Sequence, residues 1–340
     1  MAIKFRMERE TFSFYDGAGN KIERNTEVRF DPLTGETSRL VFDPGLNITP
    51  LDYTEAAEQS GGAKCPFCPE NILKMTPVFP KEVAETGRIV KGEATLFPNL
   101  FPYSKHNGVV VFSRQHYVRL KEFTRKLIKD AFMAAQAYIQ RVASLDPKAR
   151  YASINWNYLP TSGGSIIHPH LHVIVSESGT NYQALTYTKA DQFEKETGKE
   201  YFKALYDAEK AMGERWIGEK GNVAWMHAFA PKSHHDYVAI FKGSHSFDAI
   251  AEDDWGHFAA GLQAVFVSML EQGFSSFNFI LSADPKGKSP IHGRLIPRLT
   301  IGALHTSDIN FFQALHQEPL AYKMPEDVAL MAKSHFKEQV

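Results

Sequence analysis

Cysteine is almost missing from this chain: the 340 residues include two, Cys65 and Cys68. That excludes a disulfide-stapled secreted scaffold and leaves a single CxxC for metal binding or redox work. An excess of charge of one sign is also missing. Thirty-eight Lys and Arg face 39 Asp and Glu, for a formal net charge of -1. A nucleic-acid binder held by bulk electrostatics is therefore not expected. No apolar run approaches the length of a membrane span, and Met1–Arg6 lacks the apolar core of a signal peptide. The expectation is a protein of the reducing cytoplasm with neither nucleic acid nor membrane as partner. What remains is ordinary for a globular protein: 43% hydrophobic and 23% charged residues, with length enough for two domains or one large one.

One stretch stands out, Ser165-Ile166-Ile167-His168-Pro169-His170-Leu171-His172, followed by the apolar run Val173-Ile174-Val175. In a strand, side chains two apart share a face, so His168, His170 and His172 form a row. Ahead of it, Thr161-Ser162-Gly163-Gly164-Ser165 reads as a polar turn whose N–H groups can cradle an anion. Imidazoles beside such a turn suit phosphorus chemistry. One ring attacks, a neighbour binds metal or moves a proton, and backbone donors hold phosphoryl oxygens. Taken alone, an HxHxH is equally a surface strand or an adventitious metal site.

Residues 3–50 read as short strands broken by Asp16–Asn20, Asp31–Gly35 and Asp43-Pro44-Gly45 turns. Pro69 follows Cys65-Pro66-Phe67-Cys68 and no βαβ pattern surrounds it, which favours metal over redox. Any further ligands must be histidines or carboxylates from later in the chain. Asn99 lies in an aromatic, proline-punctuated loop. A strand over Gly108–Ser113 ends near His116, a helical pattern covers 120–145, and Tyr151–Asn157 is again a strand. Residues 183–218 read as a charged, helical, solvated excursion. Strands then recur at Val223–Pro231 and Tyr237–Phe241, a helix at 249–272, and strands at Ser276–Ser282 and Ile291–Ile296. His116, Asn157 and His168 are spaced 41 and 11 residues apart; His245, Asn278 and His292 are spaced 33 and 14. Both halves thus run strand, helix, strand, loop, strand, the pattern of an internal duplication. In it, His292-Gly293-Arg294 stands where the first half has His168-Pro169-His170. Arg294 and Arg298 are phosphate contacts or ordinary strand charges. His227, His234, His235 and His316 carry no expected catalytic role.

These residues resemble the galactose-1-phosphate uridylyltransferase branch of the histidine-triad superfamily. The segments that carry the likeness are Asp31–Gly35, Cys65–Cys68, Phe112–His116 and Asn157–His170. The resemblance implies an α+β fold of two tandem histidine-triad halves, each an antiparallel sheet with a packed helix. The halves would be 1–182 with the zinc site and motif, a connector over 183–218, and a degenerate half over 219–340. It implies structural zinc on Cys65, Cys68, His116 and His168, a set that also makes a closed tetrahedral site on chemical grounds. It makes His170 the nucleophile that becomes a nucleotidyl-histidine. Ser165, Gly163 and Gly164 hold phosphoryl oxygens, and Asn157 and Asn99 contact substrate. The implied substrates are a nucleotide sugar and a sugar phosphate or phosphate, and the implied assembly is a homodimer whose partner completes the site.

Three departures qualify it. His172 stands where the family has Gln, as in the hydrolytic branches, so a hydrolase using the same His170 is the first alternative and a non-enzymatic nucleotide-binding protein the second. Asp43–Asn47 lacks the family's arginines, so uridine is not implied. His292-Gly293-Arg294 replaces an HxH, so a second metal is not expected; the sugar contacts also match poorly around Phe311–Gln317.

Overall fold

The structure is a computed structural model that describes residues 3–41, 48 and 50–339. The Asp43-Pro44-Gly45 turn and the rest of the Asp43–Asn47 stretch lie outside the described residues. β1 (Arg6–Tyr15) and β2 (Lys21–Phe30) are longer than the short strands expected. They pair antiparallel along all ten residues, and β1 is exposed throughout. Asp16 closes their turn by accepting from the Ala18 and Asn20 amides. β3 (Thr37–Val41) joins them, and α1 (Thr54–Ser60) and α2 (Ile72–Met75) frame the CxxC.

The first half of the sheet contains β4 (Ile89–Lys91), β5 (Ala94–Pro98), β6 (His106–Val111), α3 (Arg125–Leu145), β7 (Tyr151–Tyr158) and β8 (His170–Ser176). α4 (Asn181–Thr197) and α5 (Tyr201–Met212) follow. The second half repeats the pattern with β9 (Trp216–Lys220), β10 (Val223–His227), β11 (Tyr237–Phe241), α6 (Glu252–Glu271), β12 (Ser276–Ser282) and β13 (His292–Arg298). Strand order is β4-β5-β6-β8-β7 in one half and β9-β10-β11-β13-β12 in the other. β7 pairs with β12, so the halves share one ten-stranded antiparallel sheet instead of each closing its own. The chain ends through β14 (Thr300–Ile301), β15 (Thr306–Ser307), α7 (Phe311–Ala314), β16 (Leu320–Ala321), which pairs with β3, and α8 (Pro325–Gln339). Among the described residues no helix is long and apolar enough to cross a membrane.

Alternation gives the sheet two faces. Val110, Leu171, Val173, Trp156, Phe279 and Leu295 join the main core under α3 and α6. Phe132 of α3 packs on Trp255 and Phe258 of α6, at ring separations of 5.3 and 5.0 Å. The helix expected over 120–145 begins at Arg125, because Thr124 caps it by accepting from the Leu127 amide. Leu120–Glu122 is a separate 3-10 turn. α6 likewise begins at Glu252, inside the expected 249–272, with three acidic residues in its first turn.

The other face carries the histidine row and, over the second half, the helices after β8. Residues 183–218 are helical but not a solvated excursion. Thr186, Tyr187, Ala190, Tyr201 and Phe202 are buried, while most charges line the outer side and Glu209 and Arg215 are buried as an ion pair. The aromatic side of α5 packs with Trp216, Met226, Val238 and Ile240 over the second half of the sheet.

Two further expectations change with the strand register. Val111 is opposite His170 and Ile240 opposite His292, while the Phe112 amide donates to Pro169 and that of Phe241 to Ile291. His292 therefore occupies the station of His170, and Arg294 that of His172; the sequence comparison was one residue pair out. Asn157 and Asn278, expected at matching stations, sit directly opposite each other across the β7–β12 seam.

Candidate functional site

The four residues expected to bind metal come together. One ligand atom from each of Cys65, Cys68, His116 and His168 lies within 4.8 Å of all the others. Nδ1 of His168 is 3.8 Å from Cys65 Sγ and 3.7 Å from Cys68 Sγ, and Nδ1 of His116 is 3.5 Å from Cys68 Sγ. A zinc ion with ordinary bond lengths has S···N edges of about 3.5–3.6 Å.

Both imidazoles are set to receive a cation. Nε2–H of His168 donates to the Ser113 carbonyl at 2.8 Å, which leaves the Nδ1 lone pair on the cluster. Ser60 donates its hydroxyl proton to Ala56, so its oxygen accepts from His116 Nε2–H at 3.2 Å. Burial pushes the Cys65 thiol up to about 11 and holds His168 down at about 4. A bound cation reverses the thiol's preference. Asn71 also ties the knuckle together, its Nδ2 donating to the carbonyls of Gly62, Ala63 and Cys65. The donor set fits a structural metal, and its elements are the knuckle, the segment after β6 and the entry to β8.

The histidine row is real but only partly strand, since β8 begins at His170. His168 belongs to the metal cluster. His170 is buried, and its Nδ1–H donates to the His168 carbonyl at 2.8 Å. Its Nε2 therefore carries the free lone pair. Burial lowers its pKa, which keeps the ring neutral. His172 lies 5.2 Å from His170, ring to ring, and burial beside that ring holds it at about 4. Its Nδ1 is buried without a partner.

These two rings open into a cavity of about 300 Å³ lined also by Phe67, Phe97, Asn99, Tyr103, Asn157, Gly163, Gly164 and Ser165. The expected anion-cradling turn is present, but four of its amides are already used. Thr161 N–H donates to the Tyr53 hydroxyl, Ser162 and Gly164 N–H to Leu159, and Gly163 N–H to Pro160. The glycines serve geometry instead: Gly163 has φ +87°, and a Cβ on Gly164 would meet the carbonyls of Asn157 and Leu159 at 3.0 and 3.1 Å. The Ser165 amide and hydroxyl remain unbonded among the described residues. Asn99 lines the cavity, yet its side chain is engaged with Phe101 and Asn107 in holding its own loop.

Arg294 and Arg298 do not reach an open anion site. Arg294 forks onto buried Asp236 and Arg298 onto Asp308. Phe67, inside the CxxC, packs 5.3 Å from His170, and Tyr103 lies 5.6 Å from His172. Sequence reading passed over both, although an aromatic between two metal-binding cysteines is a visible signal. It singled out Asn278 as a repeat station but missed its contact: Nδ2 of Asn278 donates to Asn157 Oδ1 at 2.7 Å, and no local pattern announces a pairing across 121 residues.

No protein-family model matches the chain. Solved structures share its fold, three of them as follows. One is a galT-like protein from Arabidopsis thaliana (TM-score 0.68, 16% identity, 90% of this chain and 98% of that one). Another is an ADP-glucose phosphorylase from Arabidopsis thaliana with bound ADP-glucose (0.68, 16%, 91% and 98%). The third is a uridylyltransferase (0.64, 17%, 92% and 98%). The fold is thus that of the galactose-1-phosphate uridylyltransferase branch expected from the motifs. The chain belongs to one family with an uncharacterized protein of Archaeoglobus fulgidus, 33% identical over 334 residues that cover 96% of this chain and 97% of that protein.

Proposed function

We propose that this protein is a nucleotidyltransferase that moves a nucleoside monophosphate from a nucleotide sugar to a sugar 1-phosphate or to inorganic phosphate. The observation that carries it is the state of His170: buried, neutral, tethered through Nδ1, with Nε2 free at a cavity walled by a glycine turn. Nε2 attacks the α-phosphorus, forming a P–N bond as the P–O bond to the sugar 1-phosphate breaks. An acceptor phosphate oxygen then attacks the same phosphorus, breaks the P–N bond and restores the imidazole. With inorganic phosphate the product is a nucleoside diphosphate. Ser165 offers its amide and hydroxyl to the phosphoryl oxygens, and Asn157 its amide. His172 flanks the same oxygens. Zinc is the metal that suits Cys65, Cys68, His116 and His168; its role is to lock the knuckle against the segment that carries His170.

In this reading residues 1–182 hold the reaction, 183–218 connect, and 219–340 brace. The exposed Leu100, Phe101 and Tyr103 near the cavity mouth support a homodimer in which the partner covers them. The free thiols support a reducing, cytoplasmic setting. The ADP-glucose phosphorylase of the same fold makes ADP-glucose with phosphate a pair to test beside UDP-glucose with hexose 1-phosphate.

A second reading is hydrolysis through the same His170 with water as acceptor. The buried, unpartnered Nδ1 of His172, in place of a glutamine amide, is the observation in its favour. Intact-mass spectrometry after brief incubation with either donor separates the readings. A nucleotide-sized adduct, absent in His170→Ala and discharged only by phosphate or hexose 1-phosphate, is the expected result. An adduct that decays in water alone selects the hydrolase, and no adduct or turnover with either donor overturns both.

A further inference from the structure

Asn157 is held from the other half of the molecule. Asp308 and Arg298 make a fork, Nε to Oδ2 and Nη2 to Oδ1, both at 2.8 Å. The remaining Nη1 of Arg298 donates to Asn278 Oδ1 at 3.0 Å. Because that oxygen faces a cation, the amide nitrogen of Asn278 must face the other way. It donates to Asn157 Oδ1 at 2.7 Å and to the Ser162 carbonyl at 2.8 Å. Asn157 lines the cavity with Ser165 and His170, and with its oxygen claimed its Nδ2 hydrogens are left on the cavity side. Each amide in the series has its orientation dictated by the one before, starting from a buried carboxylate.

We propose that Asp308, Arg298 and Asn278 are positioning residues that fix the polarity of the Asn157 amide, so that it presents hydrogens to the phosphoryl group carried by His170. The proposal rests on the nucleotidyl-transfer reading. The second half, which carries no reacting group of its own, thereby takes part in the chemistry of the first. The contact to Ser162 gives Asn278 a second task, pinning the turn that carries Ser165.

The informative variant is Asn278→Asp. It keeps the size of the side chain and the contact to Arg298 but replaces the donor with an acceptor, so Asn157 must reverse its amide to pair with it. Asn278→Asp is expected to lower kcat about a hundredfold with donor KM changed less than threefold, the pattern of a donor lost from the transition state. Asn157→Ala is expected to lose as much, and the double variant no more than either. Arg298→Lys, which keeps the charge but not the fork, is expected to retain more activity than Arg298→Ala. Full additivity of Asn157→Ala and Asn278→Asp, or a kcat for Asn278→Asp within twofold of wild type, overturns the proposal. The orientation is also read without turnover, by NMR of the Asn157 side-chain amide, identified by its disappearance in Asn157→Ala. Its hydrogens are expected to exchange freely in the wild type and to be protected in Asn278→Asp. Equal protection in both overturns the relay even if no nucleotide donor reacts, whereas the expected change without any turnover overturns the nucleotidyl-transfer reading alone.

Discussion

The two motif strands differ less in residue type than in what covers them. His170 and His292 occupy the same station, and each donates Nδ1–H to the carbonyl two residues earlier, at 2.8 and 3.2 Å. Over His170 lies a cavity of about 300 Å³; the matching space over His292 is about 50 Å³. There Phe202 of α5 stacks on the His292 ring at 3.9 Å, and its Nε2 is buried without a partner. The next station holds Arg294 locked to Asp236 instead of His172. An imidazole on the right strand with the right tether is therefore insufficient for a reaction site. Access, and a neighbour that can face a phosphoryl oxygen, decide which copy can work.

The comparison breaks if the wrong histidine matters. His170→Ala is expected to lower kcat/KM by about 10,000-fold or more, as loss of a covalent nucleophile does. His292→Phe is expected to leave kcat within about twofold for the folded protein. A steady-state assay with both variants decides it, and comparable losses in the two would refute the division of labour.

Each half also has its own brace, and removing one should not mimic removing the other. Cys65→Ala leaves three ligands and is expected to abolish stoichiometric zinc, measured by plasma mass spectrometry, and to lower Tm steeply. In the second half the brace is ionic. Asp236→Ala strands Arg294 in the interior at a cost of about 3–5 kcal/mol. Urea unfolding measures it, and zinc content is expected to stay at one per chain. Retained zinc and unchanged Tm in Cys65→Ala would show that the cluster is not the first half's brace.

What the sequence disclosed followed from how local each feature is. The CxxC, the alternating histidines and the Gly163-Gly164 turn are contiguous, and their chemistry is tied to side-chain type. The partners that make them work are not contiguous. Ser60 and the Ser113 carbonyl fix the tautomers of His116 and His168 through the fold, and neither residue type is distinctive. Strand register is a long-range quantity, so spacing alone aligned His292 with His168 and missed the Asn157–Asn278 seam. The charge of residues 183–218 was read as solvation, when most of it marks the outer side of two helices whose aromatic side fills the second site and Glu209 and Arg215 are buried as a pair.

A smaller effect sharpens the contrast at the base of the N-terminal hairpin. Glu326 of α8 meets Arg29 of β2 and Arg215, which precedes β9, each at 2.8 Å. Burial alone would raise its pKa, but the two guanidiniums bring it to about 2. A carboxylate with a depressed folded pKa stabilises above its unfolded value of about 4.5, and the contribution is lost as pH falls toward 2. Glu209, beside the same Arg215, moves the opposite way, up to about 6, because burial outweighs its partner. Its ionisation therefore costs the fold stability as pH rises from about 4.5 through 6, a cost that persists above, which keeps the network's optimum near mildly acidic pH. Glu326→Gln is expected to cost about 2 kcal/mol at pH 7, and the difference from wild type should shrink below pH 4.5 and vanish near pH 2. The first half's brace is lost on acidification too, but by a different route, because protons displace a metal from thiolates and imidazoles. Zinc should leave Glu326→Gln and the wild type at the same pH, and a shared shift of both midpoints would mean that the two braces act as one.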